Sequence, residues 1–132
     1  MVGKDRTVRM LLVGAGLIGR RHADAIARAD GAALAAVVDP APAGREVAER
    51  YGAPCFASLD EALGRDGAGA GSDAAILATP SALHVDGALA TLAAGLPTLV
   101  EKPIATTLRD ARRGPPRRNR SVQATEDASY SV

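Results

Sequence analysis

The sequence predicts a doubly wound α/β domain, in which helices cover both faces of a parallel sheet. Short apolar runs of the kind found in buried strands alternate with segments whose apolar residues recur at helical spacing. The links between these segments are short, and such alternation places parallel strands side by side with helices on both faces. The chain has 132 residues, enough for one domain with a real core.

The first strand and the first helix flank a glycine-rich turn. Val8–Val13 is an apolar run that predicts a strand, and residues 14–19 (GAGLIG) form the turn. The helix that follows is predicted from a spacing shared by Ile18, His22, Ala25, Ile26 and Ala29.

The second unit repeats this order. Ala33–Val38 reads as a buried strand that ends at Asp39. A helix is predicted over about residues 43–51 and is expected to stop at Gly52, because glycine adopts the left-handed conformation common after helix ends. Pro54–Ala57 is predicted as a short third strand.

A brief helix and a fourth strand come next. Ser58 and Glu61 match a capping box, which predicts a helix that begins after Ser58. Residues 64–71 form a glycine-rich loop, and Ala74–Leu77 is predicted as the fourth strand.

The last predicted helix and strand lie between residues 81 and 100. Ser81 is expected to cap a helix that ends at Gly95, and its apolar spacing is carried by Val85, Ala88, Leu89 and Leu92. Thr98–Val100 is predicted as the fifth strand, so the sheet should have about five strands.

Residues 112–132 do not follow this pattern. Gly114-Pro115-Pro116 prevents helix continuation and no apolar period follows. We therefore predict a domain over residues 1–111 and a basic, disordered tail over 112–132. The first range holds 11 Lys+Arg and 13 Asp+Glu, a net charge of −2, whereas the tail holds 5 and 2, a net charge of +3.

Composition argues against several classes of function. The body of the chain has no excess of basic residues and the chain has only three aromatic residues, so nucleic acid is not an expected partner. No apolar run approaches the ~20 residues of a membrane span, and no secretion signal is recognisable, which predicts a cytoplasmic protein. The single cysteine, Cys55, excludes an internal disulfide and a multi-cysteine metal site, and we predict it as a small core residue.

The glycine turn predicts a dinucleotide site. Its G-x-G-x-x-G pattern is weak alone, but here it follows a strand, opens a helix and precedes an acidic residue, Asp39, at the end of the next strand. Gly14 would make the tight turn, Gly16 would let the backbone approach a pyrophosphate, and Gly19 would let helix and strand pack closely. A carboxylate at Asp39 favours NAD over NADP, although Arg20 or Arg45 could soften this preference. A flavin nucleotide or a non-binding turn remains an alternative.

Lys102 is the second candidate for a functional residue. The chain has 14 Arg and only 2 Lys, and Lys102 follows the fifth strand, where open α/β sheets bind ligands. Its ammonium group could stabilise an alkoxide that develops on a substrate. A solvated surface lysine is the alternative interpretation of its position.

Four segments, GAGLIGRRHA, VVDP, ILATPSALH and LVEKPIATTLRDA, occur in an order that resembles the Gfo/Idh/MocA family of oxidoreductases. The resemblance covers about residues 7–111 and implies a Rossmann-type NAD(P)-binding domain. It implies that Lys102 faces the nicotinamide and the substrate as the catalytic residue, with a cis bond before Pro103 in many members. His84 would line the nicotinamide pocket or pack the helix, and His22 would be structural. The predicted cofactor-binding residues are Gly14, Gly16, Leu17, Ile18, Gly19, Asp39, Thr79, Pro80, His84, Glu101 and Lys102.

The family pattern ends where the tail begins. Members continue into a second domain that carries substrate-binding and proton-transfer groups, so the resemblance implies a truncated chain, inactive alone, that binds a polyol or sugar only with the missing domain. No metal is expected. Two alternatives remain: a non-catalytic nucleotide-binding or regulatory module, and a non-functional gene fragment.

Overall fold

The computed structural model describes residues 6–64, 71–101 and 122–124. Within these ranges the strands are β1 (Val8–Val13), β2 (Ala32–Val38), β3 (Cys55–Phe56), β4 (Ala74–Leu77), β5 (Thr98–Val100) and β6 (Val122–Ala124). The α-helices are α1 (Leu17–Arg28), α2 (Pro42–Tyr51), α3 (Leu59–Leu63) and α4 (His84–Ala93).

All strand pairs are parallel, and the strands lie in the order β3-β2-β1-β4-β5-β6. The chain builds outward from β1 to β3 and then returns to place β4 on the other side of β1. The carboxyl ends of β1 and β4 therefore lie at the point where the strand order reverses, and a crevice for ligands opens there in such sheets.

The two faces of the sheet bury separate cores because neighbouring strand residues point to opposite sides. On one face Leu11 and Leu77 pack with Ala62 of α3 and Ala88 of α4. On the other face the buried residues come from the sheet and from α1 and α2: Leu12, Val37, Ile76, Ala23, Ile26, Val47 and Ala48. The predicted doubly wound α/β fold is therefore confirmed.

The helix ends agree with the sequence analysis except at α4. Gly52 follows α2 with a φ of 69°, and the Ser58 side chain accepts a hydrogen bond from the Glu61 N–H. The prediction that Ser81 caps α4 is wrong. Pro80 starts a 3₁₀ turn closed by a 2.9 Å bond from the Leu83 N–H to the Pro80 carbonyl, so α4 begins only at His84.

Strand β6 is not anticipated by the sequence analysis, which places its residues in a disordered tail. It pairs with β5, with Val122 opposite Thr98. A three-residue strand has no periodicity of its own, and its partner lies far upstream, so the pairing leaves no local signal. The remaining tail residues lie outside the described ranges. Among the described residues, no helix has both the length and the apolar character needed to cross a membrane.

Candidate dinucleotide site

The three glycines of the turn between β1 and α1 have different physical roles. Gly14 has a φ of 97°, and a Cβ there would lie 2.6 Å from the Ala78 carbonyl oxygen, just beyond the end of β4. A Cβ on Gly19 would lie 2.0 Å from the Gly14 carbonyl oxygen. Neither position can hold a side chain without moving backbone. Gly16 differs, because a Cβ there would meet no heavy atom within 4 Å among the described residues.

The open space at Gly16 lies at the N-terminus of α1. Gly16 is the N-cap residue, and the first helical bond runs from the Arg20 N–H to the Gly16 carbonyl at 2.9 Å. The amide groups that precede Arg20 lack partners within the helix, and the first turn contains no acidic side chain. These donors, together with the positive end of the helix dipole, favour an anion such as a pyrophosphate.

Asp39 lies directly against this turn. Its Oδ2 accepts a 2.9 Å hydrogen bond from the Ala15 N–H, and its Oδ1 accepts a 2.8 Å bond from the Ala41 N–H. Gly44 allows α2 to approach this closely, because a Cβ there would lie 2.7 Å from the Asp39 Cβ. An ionised carboxylate has about four lone-pair sites, so Asp39 retains acceptor capacity for ribose hydroxyls.

A groove of about 870 Å³ runs across the carboxyl ends of the strands and includes the glycine turn and Asp39. Its rim is apolar and open to solvent, with Leu17 69% and Leu83 53% exposed. The predicted site residues that line it are Gly14, Gly16, Leu17, Ile18, Asp39, Thr79 and Pro80. Gly19 lies behind the turn and acts through packing.

Thr79 forms part of the groove wall and is held from behind by His84. The His84 side chain is buried, and its Nε2 donates a 2.7 Å hydrogen bond to the Thr79 carbonyl. The Thr79 Oγ1 atom is buried and has no hydrogen-bond partner among the described residues. His84 does not line the groove, so its geometry fits helix packing and positioning of Thr79 rather than direct contact with a ligand.

The side chains of Glu101 and His22 contact each other. The His22 Nε2–H donates to Glu101 Oε1, which links α1 to the residue that follows β5. Glu101 does not line the groove. Lys102, the predicted catalytic residue, and Pro103 lie outside the described residues.

Sequence reasoning missed two further parts of the site. One wall of the groove comes from the start of α3 and the middle of α4, namely Ser58, Leu59, Asp60, Asp86, Gly87 and Ala90. The capping box marked Ser58 only as a helix start, and no local pattern places α3 opposite α4. Cys55, predicted as a core residue, is half-buried and lines a second cavity beside Asp39.

Comparison with known proteins identifies the family. Residues 8–114 match the model of the Gfo/Idh/MocA oxidoreductase family, described as an NAD-binding Rossmann fold. The chain belongs to this family. This confirms the resemblance seen in the sequence and the prediction of an NAD-binding Rossmann domain.

Individual relatives agree with this assignment. Over 106 residues the chain is 38% identical to 4-carboxy-2-hydroxymuconate-6-semialdehyde dehydrogenase of Sphingobium, covering 79% of this chain and 32% of that protein. Over 103 residues it is 34% identical to inositol 2-dehydrogenase of Corynebacterium glutamicum, covering 76% of this chain and 29% of the relative. The Gfo/Idh/MocA chain thus spans about a third of the length of these relatives.

A solved structure is also similar to this chain. The WlbA dehydrogenase from Bordetella pertussis, crystallised with NADH and UDP-GlcNAcA, superposes with a TM-score of 0.74 at 38% identity. The match covers 82% of this chain and 33% of WlbA.

The described residues also fit a dinucleotide on their own geometry. The groove volume of about 870 Å³ lies within the range of roughly 300–1,000 Å³ typical of ligand clefts. The space at Gly16 would be filled by any side chain, and Thr79, which contributes to the groove wall, has a buried hydroxyl with no hydrogen-bond partner among the described residues. Both features are expected where a polar ligand approaches the backbone.

Proposed function

We propose that this domain is the cofactor-binding unit of an oxidoreductase that transfers hydride between a sugar- or cyclitol-like alcohol and NAD. One observation carries the proposal: the carboxylate of Asp39 is hydrogen-bonded to the glycine turn at 2.9 Å, next to the open N-terminus of α1. That juxtaposition brings a ribose acceptor and a pyrophosphate site to one groove.

Each described group then has a defined task. Asp39 accepts hydrogen bonds from the hydroxyls of the adenosine ribose, and the amides at the start of α1 bind the pyrophosphate. Leu17 and Leu83 at the rim offer apolar contact area to the ligand. When bound, NAD supplies the carbon that accepts the hydride.

Lys102 is proposed as the catalytic residue of this reaction. An ammonium group at the end of β5 would donate to the substrate oxygen and stabilise the negative charge that develops there. The polyol or sugar class of substrate is proposed from the names of inositol 2-dehydrogenase and similar relatives.

Calorimetry on the purified chain tests the cofactor assignment. We expect NAD to bind at least about tenfold more tightly than NADP, because the Asp39 carboxylate would face the negatively charged 2′-phosphate. A tenfold difference in affinity requires only ~1.4 kcal/mol of repulsion. ADP-ribose serves as a control for binding that does not depend on the nicotinamide ring. Equal affinities for NAD and NADP would contradict the role of Asp39.

The purified 132 residues are expected to bind NAD without turning over substrate. The groove rim is exposed, so we expect water to reach the reacting carbon and a substrate to be poorly positioned in the open groove. General acid–base catalysis accelerates a reaction by about 10²–10⁴-fold, and positioning of the reactants lowers the barrier by about 7–11 kcal/mol. Most of both contributions would be missing. NADH formation is measured by absorbance with myo-inositol and glucose. A rate that disappears in Lys102→Ala would contradict this expectation.

A further inference from the structure

The contact between His22 and Glu101 connects the two halves of the sheet. Helix α1 packs against β1, β2 and α2. Glu101 follows β5, and β4 lies between β5 and β1. His22 belongs to α1, and its Nε2–H donates to the Glu101 carboxylate across this distance. The helix whose N-terminus forms the proposed pyrophosphate site is therefore bonded directly to the residue that ends β5.

The backbone of Glu101 is fixed as well as its side chain. Its N–H donates a 3.0 Å hydrogen bond to the Leu77 carbonyl, so Glu101 extends the pairing of β5 with β4 by one residue. Alternate strand residues point to opposite faces. Val100 packs in the core beneath α3 and α4, whereas Leu99 packs in the core beneath α1 and α2, so the Glu101 side chain points to the face that carries α1. These two bonds together determine the direction in which the chain leaves β5.

The His22–Glu101 pair is less exposed than the ion pair that connects α1 to α2. The side chains of His22 and Glu101 are each 20% exposed, whereas those of Arg20 and Glu46 are more than half exposed. Exposed pairs contribute little to stability and are screened by salt, while partly buried pairs are screened much less. The pair is thus suited to hold the end of β5 in one position relative to α1.

We propose that His22 is a positioning residue for Lys102. Lys102 is bonded to Glu101, so its Cα lies about 3.8 Å from the Glu101 Cα. By fixing Glu101 relative to α1, His22 keeps the lysine in a constant relation to a cofactor bound at the N-terminus of that helix. The inference rests on the proposed function and adds to it a residue that the sequence analysis treats as structural.

This role is separable from cofactor binding. Neither His22 nor Glu101 lines the groove. Loss of their contact should therefore leave NAD affinity nearly unchanged and alter the environment of the lysine.

The small number of lysines permits a direct measurement. Lys4 and Lys102 are the only lysines of the chain. Reductive methylation with isotope-labelled formaldehyde labels both, together with the N-terminal amine, and keeps their charge. Lys4→Arg then identifies the Lys102 signal in NMR spectra. In wild type we expect NAD to shift this signal with the affinity that calorimetry reports.

Three substitutions distinguish the hydrogen bond of His22 from its packing. His22→Ala removes both. His22→Phe retains a ring in the same space but has no donor, whereas His22→Gln retains an N–H donor. We expect His22→Ala and His22→Phe to lose most of the NAD-induced shift of Lys102 and His22→Gln to retain it. NAD affinity should change by no more than about threefold in each variant. His22→Phe carries the test if His22→Ala does not fold.

Arg28→Ala is the matched control on the same helix. Arg28 forms a 3.1 Å ion pair with Asp24 within α1, and neither residue lines the groove. This variant should keep both the NAD affinity and the Lys102 shift of wild type. Loss of the shift in Arg28→Ala would mean that any change in α1 disturbs the lysine, which would overturn the specific role of His22.

The outcomes separate this inference from the proposed function. If wild type binds no NAD, the proposed function is wrong and the inference fails with it. If wild type binds NAD, the inference alone is overturned by a Lys102 signal that does not respond, by a full response in His22→Phe, or by a lost response in His22→Gln. A fall in NAD affinity of about tenfold or more in His22→Phe would also overturn it, because His22 would then contribute to binding rather than to positioning.

Discussion

NAD affinity is expected to fall by at least about hundredfold in Gly16→Val, the loss of one to two hydrogen bonds to a charged group, while the fold is retained. Gly16 lines the groove, has a φ of −71°, and offers open space to a side chain. Valine therefore fits the unliganded protein but fills the volume that the pyrophosphate needs. The stability cost should stay within about 1 kcal/mol, since only the N-cap preference changes.

Gly71→Val is the matched control for this prediction. A Cβ on Gly71 would also meet no heavy atom within 4 Å among the described residues, and Gly71 does not line the groove. NAD titration and thermal unfolding are measured on both variants. If Gly16→Val binds NAD as tightly as wild type does, the glycine turn is not the pyrophosphate site.

Gly19→Ala, in contrast to Gly16→Val, should destabilise the fold itself. Its Cβ would lie 2.0 Å from the Gly14 carbonyl oxygen, a backbone atom that can move only if β1 and α1 separate. Overpacking typically costs about 1–3 kcal/mol and occasionally more, and this contact belongs at the upper end. At roughly 4–8 °C per kcal/mol for a domain of this size, the melting temperature should fall by about 12 °C or more.

Gly87→Ala is the control for Gly19→Ala, because both glycines lie within helices. A Cβ on Gly87 would lie 3.2 Å from Leu77 Cδ1, the end of a flexible side chain that can adjust. Alanine also favours the helix by about 1 kcal/mol over glycine, so stability should be unchanged or raised. Urea unfolding followed by circular dichroism measures both variants. Equal stability of Gly19→Ala and wild type would mean that α1 is not packed against the turn as described.

The sequence by itself determined the local elements from β1 to β5 and their order along the chain. The predicted bounds of β1 are those of the structure, and the predicted starts of β2 and α2 differ from the observed ones by a single residue each. These predictions succeed because apolar spacing, glycine at helix ends and the Ser58 cap act over a few residues. The need for glycine at residues 14 and 19 is likewise readable from the motif.

Only the tertiary structure decided which of these elements meet. Asp39 reaches the Ala15 amide because β1 and β2 pair in parallel register, with Val13 opposite Val38. The sequence left open whether His84 lines the nicotinamide pocket or packs its helix, and the structure buries its side chain behind Thr79, whose carbonyl accepts a hydrogen bond from it. The sequence offered both Arg20 and Arg45 as neighbours of the cofactor, and the structure places only Arg45 in the cavity beside Asp39, whereas Arg20 pairs with Glu46 in the depression between α1 and α2. Contacts between distant elements depend on strand order and helix packing, and neither leaves a trace in the local spacing of residues.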